Sequence, residues 1–296
     1  MPEVKIGVIG IPGKWSTETL ADVVAEKTGF RLVIDMQKVF LELERGHLIY
    51  SGQNLCELDA LIVKKISANY SPNTLDRLEL LRIAEKAGVR VFSRPENILR
   101  LIDRLSCTVT LRNHDIPMPD TCITEDIETA IEAVENFGSA VFKPLYSSKA
   151  RGMCIIDSKR DRSLMEKQIR DFNCHHPMMY IQKKIEPLGR DLGLVFLGND
   201  YQGAYARIPQ AGSWNTTINS GGRYADYSAS ADIINLAYQA QAPFGMDFTT
   251  VDIAETERGP IVFEVSAFGG FRGSLEGGGV HVADRYVDYV LKDLRR

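Results

Sequence analysis

The chain has no apolar run near the roughly 20 residues that a membrane-spanning helix needs, so no membrane partner is expected. Its opening, MPEVKIGVIG, runs straight into a strand pattern. It lacks the basic segment, apolar stretch and small-residue cleavage site of a secretory leader, and no signal peptide is expected. Cysteine is scarce: five residues, Cys56, Cys107, Cys122, Cys154 and Cys174, an odd number with no CxxC pair. That usage argues against a disulfide framework and fits a reduced, cytoplasmic compartment. Charge of one sign is also lacking. There are 35 Lys and Arg against 39 Asp and Glu, a formal net charge of −4. Nucleic-acid binding needs a basic face for the phosphates, so no nucleic-acid partner is expected. Two phosphate-loop signatures are absent as well. No Walker A loop occurs, and residues 7–13 (GVIGIPG) are not a GxGxxG fingerprint. That glycine set reads as turn chemistry after a first strand. No internal repeat of fixed period is present.

What is there is ordinary for a globular protein: 296 residues, 44% hydrophobic and 25% charged, enough for two domains or three lobes. The first third alternates strand and helix. Strands are expected at 5–10, 30–36, 59–65 and 89–92, with helices from an N-cap at Ser16 to about 27 and from Pro72 to 87, closed by Gly88. This alternation predicts a small parallel sheet with helices on its faces. One helix over 96–113 then leads to Pro117 and Pro119, which cannot continue it. Beyond it come a strand near 121, a helix over 127–137, strands at 140–144, 153–157 and 179–185, and a helix over 162–172. The last third is richer in strands: 192–197 and 201–208 around a Gly-Asn-Asp turn, then 248–254 and 260–266. A polar loop over 209–227 is too long for a mere connector. A helix over 229–242, a glycine-rich stretch over 269–279 and a closing amphipathic helix complete the chain.

The chemistry concentrates in VDIAETERGPIVFEVS, residues 251–266. The turn over 255–259 would make two antiparallel neighbours, with Asp252 on one and Glu264 on the other. Glu264 lies between Phe263 and Val265 in a run that otherwise reads as core, where a lone carboxylate is costly unless paired or metal-bound. Two converging carboxylates suit a hard cation such as magnesium, which completes its shell with phosphate oxygens. Spacing alone leaves the alternative open that both carboxylates sit on a solvated sheet face. Lys143 in the strand AVFKP offers a similar choice. It either snorkels outward or aims a point charge at phosphate. The loop after it, Tyr146 to Gly152 (YSSKARG), has the small, hydroxylated and basic residues that can fold over phosphates. Cys174-His175-His176 lacks the spaced partners zinc needs and reads as plain surface in a helix–strand loop.

The order of these features from about residue 93 onward resembles an ATP-grasp ligase of the RimK-like alpha-L-glutamate ligase group. The resemblance covers essentially the whole chain. It implies a fold of mixed class, α/β and α+β: an ATP-grasp fold behind an N-terminal Rossmann-like (pre-ATP-grasp) domain. The divisions are 1–95, a central grasp lobe at 96–187, and a C-terminal lobe at 188–296 carrying the metal site. On the family pattern, Arg104 in IDRL stands for a nucleotide-facing basic residue. Lys143 stands for the strand lysine, and Ser148, Lys149 and Gly152 belong to the phosphate-covering loop. Gln182, Lys183, Lys184 and Ile185 (QKKI) form the hinge segment that packs on adenine, with Lys183 in place of an acidic residue and backbone groups of Lys183 and Ile185 left to pair with the base. Asp191 corresponds to a ribose-side acid. Arg207 corresponds to a strand arginine facing the γ-phosphate and the reacting carboxylate, a task suited to a fixed guanidinium. The substrate loop corresponds to 214–222, with Ser220 where a basic residue is usual. Asp252, Glu264 and Ser266 correspond to the metal ligands, Ser266 replacing an asparagine, and Arg272 lies where a substrate carboxylate would approach.

The resemblance implies ATP and Mg2+ (or Mn2+) as cofactors, small-molecule acid and amino-acid substrates, and a homo-oligomer, dimer or tetramer. The activity implied is ATP-dependent carboxylate–amine ligation through an acylphosphate, adding L-glutamate or another amino acid to a small acid, cofactor precursor or peptide C-terminus. Two rivals stand beside it. The substitutions at Lys183, Ser220 and Ser266 would also suit a nucleotide-binding regulatory module with weakened catalysis. The N-terminal alternation alone would suit a dinucleotide-dependent oxidoreductase, but the phosphate fingerprint is missing.

Overall fold

In the computed structural model of the chain, the described residues are 4–147, 150–159, 161–186, 189–213 and 216–296, the side chain of Asn219 aside. The first segment builds β1 (Ile6–Ile9), α1 (Trp15–Thr28), β2 (Leu32–Ile34), β3 (Phe40–Glu42), β4 (His47–Tyr50), β5 (Gln53–Asn54), β6 (Ala60–Val63), α2 (Pro72–Lys86) and β7 (Arg90–Phe92). Four of these strands form a parallel sheet in the order β2-β1-β6-β7. β1 and β6 are buried along their whole length, as a parallel strand covered on both faces must be. The expected helix start at Ser16 is corrected. α1 begins at Trp15 with Lys14 as its N-cap and no side-chain cap, while the Glu18 carboxylate holds the preceding turn by accepting the Gly13 N–H at 2.6 Å. The expected strand over 30–36 shrinks to three residues, since Asp35 caps a short 3-10 turn by accepting from the Gln37 N–H. The small antiparallel sheet β3-β4-β5 had no counterpart in the sequence reading.

The single helix expected over 96–113 is two: α3 (Pro95–Ile102) and α4 (Arg104–Asn113). Asp103 between them is extended, and its side chain accepts from the Leu105 N–H at 3.0 Å, capping α4. The central lobe then runs β8 (Thr121–Thr124), α5 (Ile127–Phe137), β9 (Ser139–Lys143), β10 (Cys154–Asp157), α6 (Arg162–His175) and β11 (Met179–Lys183). Its antiparallel sheet has the order β10-β9-β11-β8. Alternate residues Ala140, Phe142, Ile156, Met179 and Ile181 face α5 and α6 in one apolar cluster. The opposite face is free to carry Lys143, Tyr180 and Gln182. Cys174 and His175 close the last turn of α6 and His176 follows it, so the expected loop placement is corrected; Cys174 is exposed.

The last lobe contains β12 (Asp191–Leu197), β13 (Asp200–Ile208), β14 (Arg223–Asp226), α7 (Ala231–Gln241), β15 (Phe248–Thr256), β16 (Gly259–Ser266), α8 (Arg272–Gly278) and α9 (Val282–Leu294). Its antiparallel sheet is ordered β14-β13-β12-β15-β16. The loop expected over 209–227 holds an edge strand, β14, paired to β13, and the glycine-rich stretch holds α8. Side chains alternate across this sheet. Leu192, Leu194, Phe196, Ala206, Val251, Ile253 and Val265 face the core beneath α7. On the other face, Val195, Leu197 and Phe248 pack with Tyr286, Val287 and Val290 of α9. Further along the same strands that face turns charged, and this is where the site lies. Among the described residues no helix is long and apolar enough to cross a membrane.

Candidate active site

Asp252 and Glu264 are direct cross-strand partners on β15 and β16, beside a bulge between Asp252 and Ile253. Direct partners share a face with Cβ atoms about 5 Å apart. Ser266 lies two residues past Glu264 on the same face, opposite Thr250. Each carboxylate is held by an arginine. The Arg104 guanidinium reaches Glu264 Oε2 at 3.1 Å, and that of Arg207 reaches Asp252 Oδ2 at 3.0 Å. Burial pushes the Asp252 carboxyl up to about 6; Arg207 works against the rise, while Asp191 and Glu264 add to it.

Arg104 is the first residue of α4 and is 8% exposed. Its backbone N–H donates to the Leu145 carbonyl at 3.3 Å and its Nε–H to the Pro144 carbonyl at 3.3 Å. The break at Asp103 therefore turns one arginine into a tie between α4, the segment after β9 and Glu264 on β16. On β9, Lys143 donates to Gln182 Oε1. Burial pulls the Lys143 ammonium down to about 7; Arg104 adds to the fall and Glu264 opposes it. Gln182 is 2% exposed, and its amide nitrogen donates to Thr121 Oγ1 at 3.1 Å and to the Tyr180 hydroxyl at 3.3 Å. Tyr180 in turn shares a 2.9 Å hydrogen bond with Thr108 of α4. Gln182 thus orients Lys143.

The rest of the expected hinge follows directly. The Lys183 N–H donates to the Asp120 carbonyl at 2.8 Å, and its ammonium lies 3.4 Å from the Asp120 carboxylate. The expectation that this N–H pairs with adenine is corrected, since the sheet already uses it. Lys184 pairs with Glu186, its N–H bound to the Ser139 carbonyl at 2.9 Å; Ile185 follows half-buried. Ser148 and Lys149, and Trp214 and Asn215 of the substrate loop, lie outside the described residues. Gly152 has φ +71°, and a Cβ there would meet Pro144 Cγ at 3.0 Å, so this corner requires glycine. Beside it, Arg151 donates to Asn69 and to the Ala68 carbonyl, tying the loop to the N-terminal lobe.

The Asp191 carboxylate is paired with Arg207 on the face that carries Asp252. Arg207 Nε donates to its Oδ1 at 2.9 Å and Nη2 to its Oδ2 at 3.0 Å, while Thr216 Oγ1 donates to Oδ2 at 2.7 Å. Burial opposes the charge on Arg207, yet Asp252 and Asp191 hold its guanidinium well above the ordinary range. Arg272 opens α8, half-exposed, 3.4 Å from Glu276 and 5.1 Å from the centre of the Trp15 ring. It is not drawn into the Asp191–Arg207–Asp252 cluster. Sequence reasoning missed Tyr180, Thr121, Thr108 and Tyr205, and it gave Thr216 only as part of the substrate loop. The strand MYIQK did carry a signal, because Tyr180 and Gln182 alternate with buried Met179 and Ile181 and so share one face.

Arg104, Lys143 and Arg207 face Asp191, Asp252 and Glu264 here, three cations against three carboxylates. Among the described residues no three His, Cys, Asp or Glu side chains gather closely enough to hold a metal alone. Two opposed carboxylates beside phosphate-seeking cations fit a magnesium ion that arrives with a nucleotide.

The chain is similar to several known proteins over nearly its whole length. The tetrahydromethanopterin:alpha-L-glutamate ligase of Methanosarcina acetivorans is 26% identical over 318 residues, spanning 97% of this chain and 98% of the relative. A ribosomal protein bS6–L-glutamate ligase from Salmonella paratyphi B is 24% identical over 295 residues, 97% of this chain and 95% of the relative. Among solved structures, the ATP-grasp ligase PsnB, complexed with a variant of its minimal precursor, Mg and ADP, superposes with a TM-score of 0.77 at 17% identity, covering 99% of both chains. That likeness establishes the ATP-grasp fold. The profile of the RimK-like ATP-grasp domain matches residues 102–290, and the chain belongs to that family.

Proposed function

We propose that this ATP-grasp ligase uses magnesium-ATP to join L-glutamate, or another amino acid, to the carboxylate of a small acid, cofactor precursor or peptide C-terminus. The observation that carries the reading is the Asp252–Glu264 pair, with phosphate-seeking cations on one side and the Arg207–Asp191 pair on the other. The named activities of the Methanosarcina and Salmonella relatives support glutamate as the amine. In this reading residues 1–95, 96–187 and 188–296 act as three lobes around one cleft.

A magnesium ion, when bound, would be held by Asp252, Glu264 and Ser266 and would neutralise charge on the phosphates. The chain's own groups do the rest. Arg104 and Lys143 draw the phosphates of ATP into line, with Gln182 fixing the lysine. The acid's carboxylate oxygen attacks the γ-phosphorus; the bond to the bridging oxygen breaks, and ADP leaves with that electron pair. Positioning and electrostatics dominate such a transfer. The amine nitrogen then attacks the carbonyl carbon of the acylphosphate, inorganic phosphate departs, and the nitrogen loses its proton. Arg207, locked by Asp191, faces the oxyanion that forms in this second step. Arg272 and the loop around Thr216 border the substrate side.

The test is an ADP-release screen of cofactor acids and peptide C-termini against the amino acids, with products weighed by mass spectrometry. ADP that depends on both an acid and an amine, with a product heavier by one or more amino-acid residues, is the expected result. Saturable ATP binding without acid-dependent ADP over the whole panel would replace the ligase with a nucleotide-binding regulatory module.

A further inference from the structure

Tyr205 lies on β13 two residues before Arg207, on the same face, and is 4% exposed. Three glycines make room for it. A Cβ on Gly193 would fall 2.4 Å from the Tyr205 Cζ, one on Gly273 2.5 Å from Cε2, and one on Gly277 2.8 Å from the Tyr205 Cβ. Real Cβ atoms do not approach so closely, so β12 and α8 are shaped around this one ring. Tyr224 braces it edge-on, with 5.4 Å between ring centres.

The ring is anchored, yet its hydroxyl is not satisfied. Tyr180, Tyr227, Tyr286 and Tyr289 all have a hydrogen-bond partner for their hydroxyls. Among the described residues, none is found for Tyr205. The hydroxyl itself is not sealed in: among the described residues the buried side-chain polar atoms without a partner are on Gln168, Gln241 and Ser274. Gly193 is the cross-strand neighbour of both Tyr205 and Asp252, and the hydroxyl lies 2.6 Å from the point where a Gly193 Cβ would be. The phenol therefore ends over the gap that the missing side chain leaves beside Asp252.

Cross-strand neighbours along this face run Glu264, Asp252, Gly193, Tyr205. Arg104 holds Glu264 at one end of that row, so the phosphate-seeking cations are on the β16 side. Tyr205 is on the far side of the carboxylate pair, where the second reactant must lie. The Arg207 guanidinium there is already bonded to Asp191 and Asp252, which leaves the phenol as a donor without a prior partner. Burial raises the Tyr205 hydroxyl above its usual range, and Asp252 and Asp191 add to this against Arg207, so it stays protonated.

Resting on the ligase reading, we propose that the Tyr205 hydroxyl is a catalytic group that donates a hydrogen bond to the reacting carboxylate of the acid substrate. It keeps its proton throughout and continues to hold the same oxygen when that carboxylate becomes the acylphosphate carbonyl. No bond to tyrosine is made or broken.

The experiment uses the full chain, L-glutamate as amine, and the acid that gives ADP in the screen above. Tyr205→Phe keeps the ring in its glycine pocket. Hydrogen bonds to charged groups convert to a loss of roughly 10- to 100-fold in kcat/KM for the acid. The KM for magnesium-ATP should stay within about twofold, because the nucleotide does not touch this hydroxyl. Calorimetric titration with magnesium-AMPPNP counts folded sites, so rates are expressed per nucleotide-binding site even if the variant is less stable. A Phe variant whose kcat/KM for the acid is within threefold of the parent overturns the assignment of Tyr205 and leaves the ligase reading intact. A parent chain that releases no acid-dependent ADP overturns the ligase reading and this assignment together.

Discussion

Asp252 and Glu264 stand directly opposite each other on β15 and β16, and each is held in place by an arginine from a different part of the chain. Both carboxylates are thus arranged before any metal arrives. Asp252→Asn and Glu264→Gln should each lower kcat by roughly 10²–10³-fold, the usual loss when one preorganised electrostatic group is removed. Thermal melting should change little, because each amide has the size and shape of the carboxylate that it replaces and can still accept a hydrogen bond from its arginine. EDTA should abolish ADP release and added magnesium restore it. Since burial raises Asp252 to about 6, metal affinity should weaken as pH falls through that value. Turnover that survives EDTA would remove the metal from the mechanism.

Lys143 gives a proton-linked prediction. Its ammonium is pulled from the ordinary 10.5 down to about 7 by burial and by Arg104. In the free protein, the lysine loses its charge as pH rises through 7. Bound phosphates favour the charged form, so ATP binding at pH 8 should take up close to one proton, and at pH 6 almost none. Titration calorimetry in buffers of different ionisation enthalpy reads this directly. Lys143→Met should abolish the uptake. The stability effect has a fixed sign as well. Between pH 7 and 10.5 the unfolded lysine holds a proton that the folded one lacks, so the penalty of burying it is full below 7 and fades toward 10.5. Absence of proton uptake at pH 8 would show that Lys143 does not meet the phosphates.

The break at Asp103 shows where sequence reading reached its limit. Ile102-Asp103-Arg104-Leu105 sits inside an apolar period that reads as one helix. The stop is made by a distant partner and a local cap together: the Arg104 N–H is satisfied by Leu145, in the segment after β9, and Asp103 caps α4. Asp103→Ala should cost about 1 kcal/mol of stability through the lost cap. It should also raise the KM for ATP by more than that stability loss explains, because Arg104 is no longer pinned at the start of α4. Equal KM values for parent and variant would show that the break is purely structural.

Features fixed by period and pairing were legible. The Asp252–Glu264 pairing followed from a turn between two apolar strands, and the parallel sheet followed from strand–helix alternation. Features made by distant partners were not. Gln182 gave no hint that its amide would hold Lys143, and β14 looked like loop because an edge strand needs no apolar period. The family resemblance gave Asp191 only as a ribose-side acid. Only the folded register, which puts it opposite Arg207, shows its carboxylate to be the arginine's clamp.

That clamp yields the last prediction. Arg207 is shared between two carboxylates, its Nη2 serving both Asp191 and Asp252. Arg207→Ala leaves two poorly solvated carboxylates facing each other, and breaking such a pair from one side typically costs about 3–5 kcal/mol. Arg207→Lys keeps a charge but cannot bridge two oxygens of Asp191 and reach Asp252 together, so it should recover part of the stability and little of the rate. Adding Asp191→Asn to Arg207→Ala removes one of the stranded charges. The double variant should therefore melt above Arg207→Ala alone while ADP release stays at least 100-fold below the parent. Stability that recovers while activity does not would separate the two roles of this arginine, as counter-ion for the sheet and as the group facing the reacting carboxylate. If the double variant regained the rate as well, Arg207 would serve only to neutralise its neighbours, and the oxyanion would have to be met by another donor.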